Sequence, residues 1–556
     1  MFNSKHSIRH LRRYREITSA FIRHGFGFLF DQLEPEWRSM RRALHLPARI
    51  SVPTRPEDLA IHLRLALEEL GPTFVKLGQI LSTRPDLLPP EYIAELAKLQ
   101  DAVPPEGWEA IHDLLTQELG RKPEKVFASI HRQPMAAASL AQVHAATLPD
   151  GQEVVVKVQR PGITAVIDAD LEILSALAER AQTTRLGKTY DFIGIAEDFC
   201  FTLRNELDYR REGRNADRFR TNFAGEAHIF IPKVFWEFST RRVLVLERIN
   251  GIKISDIPTL KAAGYNCHQL ALHCTRMIIK EILEDGFFHA DPHAGNYLVL
   301  PGEVIGVMDF GKVGTLRETD RLDLVRLYIV AASLDADGIV DQLVRMGAAG
   351  EQVDRTGLAR AIDRLLNKYN GLPIGDVHAG EVIEEITPIT FQHHLHLPGN
   401  WWLLTQTVVM MEGIGMQLDP DFDAFAVAKP YIKRLMRHLV TPEAGWGQSI
   451  LLDSANWGEF FRRLPRAGSR LVERIERDEL FQVNIKETDR ILGKLDQLVT
   501  RLTLGVLTGA FSIGLAMLTP LTANGSLARW LLLAGITAII VMGLWLLVSL
   551  KKTSRQ

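Results

Sequence analysis

From Leu502 to Leu521 the chain reads LTLGVLTGAFSIGLAMLTPL, and from Trp530 to Leu550 it reads WLLLAGITAIIVMGLWLLVSL, neither run carrying a charge. A bilayer core about 30 Å thick is crossed by roughly 20 helical residues, so each run is long enough to span one. Only TANGSLAR separates them, which leaves room for a helical hairpin. Lys494 and Arg501 precede the pair, and Lys551, Lys552 and Arg555 follow it. That basic flanking places both ends, and everything upstream, on the cytoplasmic side of a cell inner membrane. The expectation is a multi-pass anchor carrying a cytoplasmic body.

That body is too long for one compact domain. Its charges nearly cancel, 65 basic against 67 acidic residues over the whole chain, so no global field favours nucleic acid. Cys200, Cys267 and Cys274 have the spacing of neither a zinc site nor a disulfide framework, and a reducing compartment is the simple reading. At the N-terminus Ile8, Leu11, Ile17 and Phe21 recur at helical spacing among Arg9, Arg12, Arg13, Arg15 and Arg23. Two readings stay open: a basic helix on an anionic membrane surface, or a helix packed on the protein with a solvated basic face. A mitochondrial transit peptide has a similar composition.

The pattern upstream of the hairpin is α+β. Residues 1–130 read as mostly helical, with Pro-rich breaks. VHAATL and EVVVKVQ flank Asp150–Gly151, a β-hairpin signature. HIFIPKVFW, RRVLVLERI, LVL and EVIGVMDF read as further strands, and long helical stretches occupy roughly 161–220, 262–286 and 318–440.

The most specific stretch is His289-Ala290-Asp291-Pro292-His293-Ala294-Gly295-Asn296, followed by Asp309-Phe310-Gly311 at the end of a strand-like run. This is the order and spacing of protein kinases. Phosphoryl transfer needs a cation on the phosphates, hard oxygen ligands for Mg²⁺ and a carboxylate near the attacking group. The Asn296 amide oxygen and the Asp309 carboxylate suit the metal, and Asp291 suits an acceptor hydroxyl. Lys157, inside VVVKVQ, matches the strand lysine that pairs with nucleotide phosphates, and its partner should be a glutamate on an intervening helix. Glu206, Asp208 and Glu212 offer three carboxylates on one expected helix, and the spacing of the two glutamates turns them to different neighbours. Where a kinase carries a glycine-rich loop, this chain has Ala136, Ala137, Ala138, Ser139, Leu140, Ala141, Gln142 and Val143. The methyl groups restrict positive φ and close backbone approach, so the nucleotide pose should differ.

These features, with Lys76-Leu77-Gly78-Gln79 in FVKLGQILSTRPDLLPPEYIAEL, make the chain resemble the UbiB/AarF family of atypical kinases from about residue 60 to residue 435. The resemblance implies an atypical bilobal protein-kinase-like fold using ATP and Mg²⁺, in support of ubiquinone or related isoprenoid-quinone biosynthesis. It implies that residues 76–79 belong to an extension folded over the active site, with Lys76 aimed at Glu206 and Asp309, while Glu212 pairs with Lys157. Asp291, Lys157 and Lys76 are then the candidate catalytic residues, and Lys76, Gly78, Gln79, Glu206 and Asp208 the regulatory set. Expected partners are membrane lipid, isoprenoid quinone precursors and quinone-biosynthesis enzymes. Two departures from ordinary protein kinases stand out: the His289-Ala290-Asp291 triplet lacks the usual arginine, and no Ala-Pro-Glu follows the Asp309 motif. An ordinary protein kinase and a nucleotide-gated lipid-binding scaffold are the alternative functions. The expected divisions are a helical extension over 1–130, a small lobe over 131–260, a large lobe over 261–440, a linker over 441–501 and the two spans over 502–550. His393, His394 and His396 lack supporting carboxylate or cysteine spacing and read as a helix end, not a zinc site.

Overall fold

The structure, a computed structural model, describes residues 4–26 and, short gaps apart, 56–431. These fall within a unit spanning Met1–Pro442. Among the described residues no helix is long and apolar enough to cross a membrane. The two uncharged runs of the expected hairpin lie outside the described residues.

The first helices are α1 (Ser4–Arg23), α2 (Pro56–Leu70), α3 (Pro72–Leu81), α4 (Pro90–Leu96) and α5 (Trp108–Leu119). Pro72 and Pro90 start α3 and α4, where the missing N–H costs nothing. Ile17 and Ala20 of α1 are buried against Leu67, Phe74 and Leu96. From Tyr14 to Phe21 the apolar face of the basic helix is thus taken up by protein, which is the packed one of the two readings for that part of it. Arg13 fastens it: its guanidinium donates to both oxygens of the fully buried Asp170 carboxylate (2.6 and 3.1 Å) and to the Leu70 carbonyl.

The strands β1 (Ser129–Ile130), β2 (Ala136–Ala137), β3 (Ala141–Thr147) and β4 (Glu153–Gln159) come next, then α6 (Ile163–Gln182), α7 (Phe192–Glu206) and α8 (Tyr209–Asn222). They are followed by β5 (Ile229–Phe230), β6 (Val243–Glu247) and β7 (Ile252–Lys253). One antiparallel sheet runs β1-β3-β4-β6, with β2 on the β3 edge. Gly151, at φ 88°, turns the expected β3–β4 hairpin. Along β4, Val154, Val156 and Val158 are fully buried against Ile111, Leu114 and Leu115 of α5. The two-residue period therefore puts Lys157 on the opposite face. The long strand expected at HIFIPKVFW is only β5: Pro232 interrupts the run, β5 joins a second sheet, and Val234 bridges back to Leu246 of the first.

The remainder comprises α9 (Ile257–Ala262), α10 (Cys267–Ile279), a π-helical turn (Lys280–Asp285), β8 (Phe287–His289), β9 (Tyr297–Leu300), β10 (Val304–Val307) and β11 (Val313–Thr315). It closes with α11 (Glu318–Ala332), α12 (Ala336–Arg345), α13 (Arg355–Tyr369), α14 (Ala379–Gln392) and α15 (Gly399–Leu418). The second sheet runs β5-β10-β9-β7, and β8 pairs with β11. A continuous core joins Tyr209, Phe219 and Leu244 to Phe288, Tyr297, Phe310 and Met411. The architecture is α+β, with the β3–β4 sheet on one side of a cleft and α10, α15 and the short strands on the other.

Candidate active site

Lys157 and Glu212 meet because β4 turns the lysine away from the valine core and α8 turns the glutamate toward it. The ammonium lies 2.7 and 2.9 Å from the two Glu212 oxygens and 3.8 Å from Asp309 Oδ2. Burial alone would lower the lysine, but Asp309 and Glu212 outweigh it and the net shift is upward. Burial raises the Glu212 carboxyl, with Lys157 pulling the other way. Lys157 also holds Asp309 below the usual carboxylate range, assisted by the Gly311 N–H, which donates to Asp309 Oδ1 at 2.9 Å. The Tyr209 ring covers the ammonium at 5.4 Å.

The segment expected to be one helix from Glu206 to Glu212 is broken. Helix α7 ends at Glu206, and the Asp208 carboxylate accepts from the Arg210 N–H and caps α8. An aspartate that satisfies a free N–H favours a helix start over helix continuation. Glu206 and Glu212 thus face different lysines because they stand on different helices. Asp208 is engaged by Arg210, with its carboxylate used as a cap.

On the other wall, the buried His289 ring organises the acidic residues. Its Nδ1 accepts from the Asp291 N–H (3.1 Å), so Nε2 carries the proton and donates to the Asp309 carbonyl (2.6 Å). Burial lowers this imidazole, which keeps it neutral. Asn296 Nδ2 donates to the Asp291 carbonyl at 3.2 Å, closing the loop between them. Asp309 itself has φ 58°, a left-handed conformation that aspartate tolerates better than most residues. Asn215 Nδ2 on α8 donates to the next carbonyl, Phe310 O, at 2.9 Å. With its amide nitrogen occupied, Asn296 has its side-chain oxygen available, and the half-exposed Asp309 carboxylate supplies a second hard donor. Two protein oxygens completed by phosphates and water is the donor set that Mg²⁺ takes. Among the described residues no cluster of three or more His, Cys, Asp or Glu side chains forms an all-protein metal cage. His393 ends α14; His394 and His396 lie outside the described residues.

Lys76 reaches the same cleft from α3, its Nζ 3.6 Å from Glu206 Oε2, and its charge is also felt at Asp309. Sequence comparison then supplies the relationship. Residues 98–343 match the ABC1 atypical kinase-like domain, 362–423 the UbiB helical domain, and 486–552 the ABC1/UbiB kinase-like C-terminal domain. The probable protein kinase UbiB of Azotobacter vinelandii is 33% identical over 554 residues, 98% of this chain and 99% of the relative. The chain belongs to the UbiB/AarF family. An uncharacterized protein of Synechocystis is 37% identical over 439 residues, 78% of this chain and 75% of the relative. Among solved structures, the Rv3197–erythromycin complex of Mycobacterium tuberculosis covers 71% of this chain and 98% of its own, at 25% identity and a TM-score of 0.48.

In this UbiB/AarF chain the alanine-rich segment is the β2–β3 turn itself, closed by the Ala138 N–H donating to the Ala141 carbonyl. Arg160 Nε donates to the Ala138 carbonyl at 2.8 Å from the end of β4. Leu140 and Ala141 are buried, and the Gln142 amide is committed to the Glu106 N–H and to His144. Ser139 is buried as well, at 2% exposure, which leaves Ala136, Ala137, Ala138 and Val143 as the remaining candidates for nucleotide contact. Gly78 is needed for packing: a Cβ there would run into Leu99 Cδ1 and Leu67 Cδ1. Gln79 Nε2 donates to the Leu99 carbonyl.

Several site residues had no motif to announce them. Glu281, on the π-helical turn, accepts from the His289 N–H at 2.9 Å, and Thr407 Oγ1 on α15 donates to the His289 carbonyl at 3.1 Å. Lys312 stands beyond the Asp309 motif, where burial lowers its ammonium while Asp291 and Glu206 oppose that shift. A π-turn and a strand register bring these residues in, and neither has a sequence period to read.

Proposed function

We propose that this chain is a Mg²⁺-dependent ATPase or small-molecule phosphotransferase supporting ubiquinone or related isoprenoid-quinone biosynthesis at the inner membrane. The observation that carries the reading is Lys157 held by Glu212 within 3.8 Å of Asp309. Lys157 would hold nucleotide phosphates, and Glu212 keeps it in place and charged. Asn296 and Asp309 would hold Mg²⁺, which when bound neutralises charge developing on phosphate oxygens. Asp291 accepts the proton of an attacking hydroxyl or water, with its backbone oriented by neutral His289. Lys76 over the cleft and the direct passage from Gly311 through β11 into α11 leave little platform for a peptide. That favours water or a small hydroxyl compound over a protein acceptor.

The two uncharged C-terminal runs support a membrane setting, where a polyprenyl precursor would be concentrated by its tail at about 0.8 kcal/mol per buried methylene. The test is phosphate release and phosphoryl transfer by purified full-length protein, with and without anionic liposomes and phenolic quinone precursors. Mg²⁺-dependent release stimulated by both is expected. Nucleotide binding without release or transfer under any of these conditions would replace the reading with a nucleotide-gated scaffold.

A further inference from the structure

Three lysines approach the acidic cleft, and two are paired. Lys76 lies against Glu206, and Lys157 against Glu212 and Asp309. Among the described residues Lys312 has neither a hydrogen bond from its ammonium nor a carboxylate within ion-pair distance. Its place is set by backbone. Val313 pairs with His289 across β8 and β11, and the Lys312 carbonyl accepts from the Ala290 N–H at 3.0 Å. Lys312 therefore stands across from Ala290 and beside Asp291. The charges that act on its ammonium are Asp291 and Glu206, which attract it, and Lys76, which repels it.

A partly buried ammonium with no hydrogen-bond partner is costly unless an anion completes its surroundings. We propose that Lys312 is a further catalytic residue, a second phosphate-holding cation that takes the terminal phosphoryl group of a nucleoside triphosphate beside Asp291. The proposal rests on the nucleotide reading above. The two lysines then divide the work. Lys157, tied to Glu212 and Asp309, serves the phosphates nearer the nucleoside. The terminal phosphoryl must lie between the metal-ligand candidate Asp309 and the base candidate Asp291, the position that Lys312 flanks. A preorganised cation there is worth most in the transition state, when charge builds on those oxygens.

The test measures Mg²⁺–ATP and Mg²⁺–ADP dissociation constants and ATP turnover for the full-length wild type, Lys312→Met and Lys312→Arg, with circular dichroism as the check on folding. A contact to the terminal phosphoryl predicts that Lys312→Met weakens ATP at least about tenfold relative to ADP. Lys312→Arg should recover most of that ratio. Lys312→Gln stands in if the methionine variant does not fold. An ATP-to-ADP ratio unchanged in the folded neutral variant overturns the proposal and leaves the nucleotide reading standing, because a lysine that merely balances Asp291 and Glu206 would affect both nucleotides alike. A wild-type chain that binds neither nucleotide overturns both.

Discussion

Glu281 is buried at 1% exposure beneath the strand that carries His289, and its carboxyl is pushed up to about 8 by burial, the His289 N–H pulling the other way. An unfolded glutamate ionises near 4.3. The unfolded chain therefore releases this proton first as pH rises. The stability linked to Glu281 is fully present below about pH 4.3 and is lost as pH climbs through about 8. Glu281→Gln keeps an acceptor for the His289 N–H and removes the titration. The variant should melt higher than wild type at pH 8.5, the gap widening by about 1.4 kcal/mol per pH unit between roughly pH 4.3 and 8 and closing near pH 4. Melting curves of the two proteins that run parallel from pH 5 to 8.5 would contradict this. At this scale the sequence was unevenly legible. Lys157, Asp291, Asn296 and Asp309 were visible because phosphoryl chemistry requires those groups in a set order. Glu281, Asn215, Thr407 and Lys312 were not, because each acts through a backbone group or a strand register that no spacing rule records.

Helix α8 makes two contacts that hold the candidate site together: Glu212 faces Lys157, and Asn215, one turn later, holds Phe310. Both depend on where the helix starts, and Asp208 sets that start by accepting the Arg210 N–H. Asp208→Ala should cost about 1 kcal/mol of stability, within the usual range for a lost N-cap. It should also weaken Mg²⁺–nucleotide binding, because the first turn positions Glu212. Chemical denaturation and calorimetric titration check the two parts; an unchanged denaturation midpoint would show that the cap is dispensable. The hairpin around Gly151 was readable from alternation and turn chemistry, and the proline-started helices from Pro72 and Pro90. The break at Asp208 was hidden because the apolar and charged residues on either side continue a helical pattern across it. The end of the HIFIPKVFW strand was marked by Pro232, but the transfer of β5 to a second sheet depends on long-range pairing.

For the whole molecule, the α+β class and the order of the site residues followed from sequence, whereas the fastening of α1 by Arg13 to Asp170 did not, since the two are 157 positions apart. With the apolar face of α1 occupied from Tyr14 to Phe21, that part of the helix has its exposed basic residues to offer a bilayer, and attachment should depend on the C-terminal runs. A chain ending near Lys486 should keep nucleotide binding, respond to anionic liposomes and fail to sustain quinone production in cells. Full complementation by the shortened chain, with turnover indifferent to lipid, would argue for a soluble acceptor. The nucleotide chemistry itself is tested most directly by calorimetric titration of Mg²⁺–ATP into wild type and Asp309→Asn, each checked for an intact fold. The expected result is saturable, Mg²⁺-dependent binding by wild type and a loss of at least about tenfold in Asp309→Asn. Equal Mg²⁺–ATP affinity in the two proteins would contradict the assignment of the cleft between Lys157 and Asp291 as the nucleotide site.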